Sequence, residues 1–83
     1  MAIQLTGIMP EMQTWYFTFG SNTNLAQNYM VVKAWSMEDA RKIMFQKQGV
    51  LWGFQYSEQE FLPQITEYKL TEVPLGTRCE RVR

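Results

Sequence analysis

Histidine is absent from this chain of 83 residues, and only one cysteine, Cys79, is present. Without imidazole, the chain lacks the commonest general base and the commonest metal ligand of protein active sites. A single thiol can form neither an internal disulfide nor a cysteine cluster around a metal, which fits a reducing compartment. The composition therefore argues against most metal and nucleophilic chemistry, and no cofactor is expected.

Long apolar runs and an excess of charge of one sign are also missing. No run approaches the roughly 18 residues needed to cross a bilayer. Residues 1–13 contain neither Lys nor Arg and lack the apolar core of a signal peptide. Eight basic and eight acidic residues give a net charge of zero, which argues against a nucleic acid or membrane partner held mainly by electrostatic attraction. We expect a cytoplasmic protein with no membrane partner.

Apolar residues make up 46% of the chain and charged residues 19%, a balance that favours a folded domain over disorder. The length allows a single hydrophobic core. Twelve aromatic residues supply large side chains for that core. We divide the chain into an N-terminal arm at 1–13, a single α+β domain at 14–75 and a basic C-terminal tail at 76–83.

Two strands are predicted in the first half of the domain. Residues 15–19 alternate large apolar side chains with Tyr16 and Thr18, at the period of two that is typical of a strand. Residues 29–35 form an almost continuous apolar run, which indicates a second strand with both faces at least partly covered. Residues 20–28 between them are mostly small and polar, which predicts a loop longer than a tight hairpin turn.

A helix is predicted over residues 37–48. Ser36 is suited to be its N-cap, and Glu38 and Asp39 place negative charge at the positive end of the helix dipole. Apolar side chains recur at helical spacing along one face of this segment. Gly49 follows at the position where helices commonly end.

Two further strands are predicted in the second half of the domain. Residues 50–56 read as a strand with Trp52, Phe54 and Tyr56 on one face. Residues 65–73 alternate apolar and polar side chains loosely and are predicted to form the fourth strand.

Between these strands, Ser57 and Glu60 have the spacing of a capping box, but Pro63 restricts the expected helix to about one turn. The predicted order is therefore β-β-α-β, a short helix, then β. This is an α+β fold class: a small four-stranded, largely antiparallel sheet with one main helix on one face. The other face would carry the surplus aromatic side chains, from which we expect a homodimer or higher assembly.

The loop after the first strand is the main candidate binding site. Its glycine lets the backbone approach a ligand, and its serine and asparagines offer hydrogen-bonding groups. The tail is a second candidate because guanidinium groups bind phosphate in a bidentate manner. A plain connection and a solvated tail are the alternative interpretations. The candidate ligand-binding or partner-binding residues are Gly20, Ser21, Asn22, Asn24, Arg78 and Arg81; no catalytic residue and no metal ligand is predicted.

Residues 16–22 also resemble the Tyr-Gly-Ser-Asn loop of the γ-glutamylcyclotransferases, in which a first-strand loop holds the substrate. Phe19 stands where that family has tyrosine, and no counterpart of the catalytic glutamate of the family is evident. The resemblance implies a small enzyme of this type as one alternative. A single-stranded nucleic-acid binder is another, because aromatics interleaved with a few cations can stack bases.

A broader resemblance covers about residues 14–70. The pattern is Tyr-Phe-Thr-Phe-Gly, an alternating strand, a helix ending in Met-Phe, and Trp-x-Phe-Gln-Tyr followed, after four intervening residues, by Phe. The matching segments of this chain are residues 15–21, 29–34, 36–41, 44–45, 49 and 52–61. In order and spacing they resemble a group of small uncharacterised proteins encoded by bacteriophages and prophages. The resemblance implies an accessory phage protein in a bacterial cytoplasm and brings no catalytic residue with it.

The leading expectation is a non-enzymatic phage or prophage accessory binding protein. The resemblance implies the origin, while the lack of catalytic equipment and the many aromatic side chains indicate binding. Its expected form is an inhibitor of host defence that either blocks a host protein or sequesters a small nucleotide. A second copy of the chain is the other expected partner.

Overall fold

The structure, a computed structural model, describes residues 12–49 and 51–82. The predicted arm at 1–13 lies almost wholly outside the described residues, and Gln13 begins the first strand. The elements in chain order are β1 (Gln13–Phe19), β2 (Asn28–Ala34), α1 (Met37–Gln48), β3 (Trp52–Ser57), α2 (Glu58–Tyr68) and β4 (Thr71–Glu72).

The four strands form one sheet in the order β3-β1-β2-β4. The central strand β1 is antiparallel to both β2 and β3, whereas β4 runs parallel to β2. The predicted α+β class with a largely antiparallel sheet is therefore confirmed. Because β2 and β3 are parallel to each other with β1 between them, the chain must cross the sheet after β2, and α1 makes that crossing.

Helix α1 has the predicted bounds and caps. The Ser36 hydroxyl accepts a hydrogen bond from the Asp39 backbone N–H at 3.1 Å. Gly49 follows the helix with a φ of 64°, a left-handed value that glycine adopts without steric cost, and its N–H donates to the Phe45 carbonyl. Local signals were enough to predict this helix, because its N-cap, its helical period and the glycine after its last residue all agree.

One face of the sheet, which we call the α1 face, packs against this helix. Odd-numbered residues of β1 and even-numbered residues of β2 share that face, as the register requires. Ala40 and Met44 of α1 are fully buried against it. The buried residues of this cluster are Trp15, Phe17, Phe19, Leu25, Met30, Val32, Ala34, Ala40, Met44 and Cys79.

Helix α2 is longer than predicted, because it continues through Pro63 to Tyr68. The capping box at its start is present, with reciprocal bonds between Ser57 and Glu60. Pro63 lacks the N–H that would donate to the Gln59 carbonyl. Both residues are exposed, so water can satisfy that carbonyl and the helix survives the loss.

The predicted fourth strand at 65–73 is consequently wrong over most of its length. Ile65 belongs to α2, which ends where Lys69 adopts a left-handed conformation with a φ of 55°. Only Thr71 and Glu72 form the strand, and the Val73 N–H donates to the Tyr29 carbonyl at 2.9 Å just beyond it. The apolar residues at the start of this segment, which were interpreted as a loose strand alternation, instead belong to the end of α2.

The second face of the sheet, which we call the α2 face, is covered as well. Phe61 of α2 is fully buried between Tyr16 and Tyr29, which come from adjacent strands. The partly buried residues around them are Val31, Tyr56, Ile65 and Leu70. The expectation of one helix and one open face is therefore wrong, and the open face predicted as a homodimer interface is occupied by α2.

A β-bulge separates the aromatic residues of β3. Thr18 pairs with Phe54, but Phe19 pairs with Trp52, so Gly53 is an extra residue on β3. Trp52 consequently packs on the α1 face, edge-on to Phe17 with ring centroids 5.0 Å apart. The prediction that Trp52 shares a face with Phe54 and Tyr56 is wrong, because strict alternation does not survive a bulge.

Candidate functional site

The predicted binding loop and the predicted arginine tail lie next to each other. The Asn24 side chain donates from Nδ2 to the Arg78 carbonyl at 3.1 Å and accepts at Oδ1 from the Glu80 N–H at 2.7 Å. The Asn24 N–H donates back to the Glu80 carbonyl at 3.0 Å. Further along, the Val82 N–H donates to the Asn22 carbonyl. The two candidate segments thus form one junction.

This junction holds the tail against the domain. Thr23, opposite Arg81 in an isolated bridge, is buried, and its Oγ1 donates to the Gly20 carbonyl at 2.9 Å. Cys79 is buried in the α1-face cluster. Burial raises the pKa of the Cys79 thiol, a hydrogen bond with Thr23 partly opposes the rise, and the nearby Glu80 carboxylate adds to it. The expected solvated tail is instead a docked segment.

Helix α1 anchors the same tail from inside the core. The buried Gln48 side chain donates from Nε2 to the carbonyls of Leu75 and Thr77, both at 2.8 Å. Two carbonyls of an irregular segment thereby obtain partners that no strand provides. Gln48 is accordingly a structural residue, although its place at the helix end gave no sign of this.

The candidate residues of the junction differ in whether their side chains already contact the rest of the chain. Asn24 uses both ends of its amide to hold the tail, and Arg78 is paired with the Glu80 carboxylate. Ser21, Asn22 and Arg81 are exposed. A Cβ on Gly20 would lie 2.9 Å from Oδ1 of the exposed Asn22 side chain, which could rotate away from it. A binding role for these residues stays a prediction.

A groove that the sequence analysis missed lies between the end of β2 and α1. Its volume is about 410 Å³, within the range of about 300–1,000 Å³ that is common for small-molecule sites. The residues that line it include Met12, Lys33, Trp35, Asp39, Lys42 and Ile43. Trp35 is the large aromatic of the groove and is 54% exposed.

Helical spacing and the end of β2 together create this groove. Asp39, Lys42 and Ile43 lie three and four residues apart, so α1 presents them on one side. Trp35 follows β2 directly, in the bend before the helix, where its ring is not drawn into the sheet. The groove thus combines an exposed indole, apolar flanks, two ammonium groups and one carboxylate.

A signal for the groove existed in the sequence. Trp35 was predicted as the last residue of the second strand, and a strand residue of that size is usually core. The neighbouring Ser36 cap, however, requires non-helical backbone at the strand-to-helix junction, and side chains at such junctions commonly face solvent. Lys33 and Lys42, on either side of Trp35 in the sequence, could have indicated that this aromatic residue has polar neighbours.

A second open groove, of about 380 Å³, lies at the start of α2 and has a more polar lining. Ser57 and Glu58 at the helix start contribute to it, together with Gln13 and Thr14 of β1. Ser57 is already committed to the capping box with Glu60. Unlike the groove at Trp35, this groove has neither an aromatic nor a basic side chain in its lining.

In comparisons with known proteins, no protein-family model, no curated protein and no solved structure matches this chain. In the described residues no helix is both long and apolar enough to cross a membrane. Over residues 12–49 and 51–82, no group of three or more Cys, Asp or Glu side chains is arranged to hold a metal ion.

Proposed function

We propose that this chain is a non-enzymatic accessory protein of phage or prophage origin that inhibits host defence by sequestering a small nucleotide in the bacterial cytoplasm. The resemblance described above supports the origin. The groove at Trp35 supports the mode of action, and it is the single observation on which the choice of ligand depends.

An exposed indole ring is suited to stack on a nucleobase. Trp35 keeps 54% of its surface accessible within a groove, rather than on a convex surface where a ligand would touch it only at an edge. Stacking of a base on an aromatic side chain contributes about 1–3 kcal/mol and tolerates any base, because every base has a π face. The flanking apolar side chains of Met12 and Ile43 would exclude water from the stacked pair.

The charges of the groove favour the phosphate of a nucleotide. Lys33 and Lys42 place two ammonium groups along its walls, against the single carboxylate of Asp39. Lysine acts on phosphate as a point charge without demanding one geometry, which suits an open groove. Because the whole chain is neutral, this local excess would attract a small anion without binding nucleic acid indiscriminately.

Isothermal titration of the full chain with a cyclic dinucleotide, adenosine monophosphate and inorganic phosphate tests this proposal. We expect binding of at least one nucleotide and much weaker binding of phosphate alone. Trp35→Ala should weaken nucleotide affinity by about tenfold or more, the equivalent of about 1.4 kcal/mol. Phe45→Ala is the matched control, because Phe45 is an equally exposed aromatic that does not line the groove.

Charge is tested separately from stacking. Lys42→Gln should weaken nucleotide binding and reduce its salt dependence, while Lys47→Gln, also an exposed lysine of α1 but outside the groove, should leave both unchanged. Absence of nucleotide binding by the parent, or equal losses in each pair, would overturn the proposal.

Each of the remaining alternative functions predicts a different experimental result. Binding of a host protein that displaces no nucleotide would indicate a protein blocker. Preference for a single-stranded oligonucleotide over a mononucleotide would indicate a nucleic-acid binder. Release of 5-oxoproline from a γ-glutamyl substrate would indicate an enzyme of γ-glutamylcyclotransferase type. We also propose that the chain self-associates, and the surface involved is argued next.

A further inference from the structure

The two edges of the sheet differ in length and charge. The edge formed by β4 is only two residues long and carries Glu72. Where β2 extends past β4, it bears Lys33, which is exposed. Short edge strands and charged side chains are devices that prevent sheets from pairing edge to edge. The β4 side of the sheet is therefore protected against another strand.

The edge formed by β3 has little such protection. Its six residues include no charged side chain and no proline. Within residues 12–49 and 51–82, no strand pairs with its outer side. The bulge at Gly53 interrupts the strand only at its first residues. Backbone N–H and C=O groups along the outer side of β3 are thus available to a further strand.

Phe54 marks this edge as an interface. It is 65% exposed, more than any other large apolar side chain of the described residues. The polar side chain next to it is already satisfied within the chain: Gln55 accepts from Arg41 Nε at 2.7 Å and donates to the Met37 carbonyl at 3.1 Å. Pairing of β3 with another strand would therefore bury Phe54, and the Gln55 side-chain amide would keep its hydrogen-bond partners.

We propose that β3 pairs with β3 of a second copy of this chain, antiparallel about a two-fold axis, so that two sheets join into one continuous sheet of eight strands. A second copy fits this edge because no side chain of β3 itself is charged, so a two-fold axis through the strand brings no like-charged strand residues together. The net charge of zero adds no long-range repulsion between copies. A register centred near Phe54 brings the two exposed rings together across the axis.

This interface is independent of the nucleotide groove and goes beyond the proposed function. The groove lies beside β2, and β1 separates β2 from β3 in the sheet. A dimer formed through β3 leaves both grooves open. Because only one strand per copy and the neighbouring aromatic side chains take part, the interface belongs to the small class of below about 1,200 Å². We expect dissociation on dilution.

Sedimentation of the full chain across the micromolar range tests the proposal, with the fold verified by circular dichroism. The parent should shift from monomer to dimer as its concentration rises. Phe54→Lys should remain monomeric, since it places two ammonium groups near the axis. Phe45→Lys, the same change at an exposed aromatic of α1, should dimerise as the parent does.

Hydrogen exchange of the parent at low and high concentration gives a second measurement that needs no variant. Amides of Trp52–Ser57 should gain protection as the concentration rises, whereas those of Thr71–Glu72 should not. A parent that stays monomeric throughout would overturn the proposal. So would a dimer whose protection appears away from β3, or one that persists in Phe54→Lys. None of these outcomes bears on nucleotide binding, which the titration measures separately.

Discussion

The two faces of the sheet are closed in different ways. On the α1 face, a helix with two fully buried residues, Ala40 and Met44, packs against a large apolar cluster that the docked tail also seals. On the α2 face, Phe61 is the only buried residue of its helix. The first face therefore buries several side chains of its helix and of the tail, whereas on the second face the helix contributes one fully buried side chain.

Ring geometry explains how one side chain can suffice. The Phe61 ring lies 5.0 Å from the Tyr16 ring, 5.1 Å from Tyr29 and 5.2 Å from Tyr56, measured between centroids. Offset or edge-on aromatic pairs contribute about 0.5–1.5 kcal/mol each beyond the area they bury. Three strands are thus tied to α2 through a single phenylalanine.

The largest effect is expected from Phe61→Ala. Removing a buried phenylalanine costs about 3–5 kcal/mol, because the lost contacts are not recovered by collapse of the cavity. This is a large share of the 5–15 kcal/mol or so by which domains are usually stable. Chemical denaturation should show a strongly lowered midpoint, and α2 should lose hydrogen-exchange protection before α1 does.

Met44→Ala is the matched change on the α1 face. Met44 is also fully buried, and its removal is expected to cost about 2–5 kcal/mol. The difference should lie in the pattern of protection, because Ala40 and the docked tail still hold α1 in place. Selective loss of α1 in Met44→Ala, or uniform loss in Phe61→Ala, would show that the two faces do not differ as described.

Pro63→Ala should change stability in the opposite direction. Alanine restores the hydrogen bond to the Gln59 carbonyl and removes the clash of the proline ring with the preceding turn, which in a helix interior costs up to about 3 kcal/mol. Because α2 already accommodates Pro63 at an exposed position, we expect a gain of about 1 kcal/mol, measured as a higher denaturation midpoint. A lower midpoint would show that the proline ring packs usefully.

Pro63 also shows why the α2 face was not foreseen. A proline six residues into a segment usually ends a helix, and nothing local reveals that both it and its missing partner will face water. Phe61 is buried between Tyr16 and Tyr29, and both of these come from strands that are distant from it in sequence. Helix α1, by contrast, was foreseen to the residue because its caps and its helical period are local signals.

The candidate site was likewise predictable only in part. The loop and the tail were each singled out from their residue types, yet their junction through Asn24 spans more than fifty residues of sequence. The Trp35 groove depends on how β2 and α1 are set against each other, which no local pattern encodes. The sequence predicted which residue types could form a site. It did not predict which of these residues lie next to each other in the fold.

A smaller effect is expected from Asn24→Ala, which tests the seal of the α1 face. Loss of the two side-chain hydrogen bonds to the tail should cost about 1 kcal/mol, since both are solvent-exposed. The single thiol reports the consequence directly. Cys79 belongs to the tail and is buried against the α1-face cluster, so its reaction with a thiol reagent should accelerate in Asn24→Ala.

The double variant of Ser21 and Asn22 to alanine is the control for that experiment. Both side chains are exposed and hold no part of the tail through a side-chain hydrogen bond in the described residues. Stability should stay within about 0.5 kcal/mol of the parent, and the thiol reaction should keep its rate. Faster thiol reaction in this variant would show that the loop as a whole, and not Asn24, retains the tail.

The smallest effect concerns the dependence of the α2 face on pH. Burial raises the pKa of Tyr16 and of Tyr29, with the carboxylates of Glu58 and Glu72 respectively adding to the rise. A pKa raised on folding means that the folded state favours the neutral phenol. The associated stability is complete below the ordinary tyrosine pKa of about 10 and is lost as the pH rises through the folded values. The α2 face should therefore lose stability at strongly alkaline pH.

Denaturation midpoints measured from neutral to strongly alkaline pH should fall with a slope that Tyr16→Phe and Tyr29→Phe each reduce. Tyr68→Phe is the matched control, because Tyr68 is an exposed tyrosine of α2 that lies outside the buried aromatic cluster. An undiminished slope in both buried-tyrosine variants would mean that other groups govern alkaline unfolding. The two buried tyrosines would then not be the groups that link the stability of the α2 face to pH.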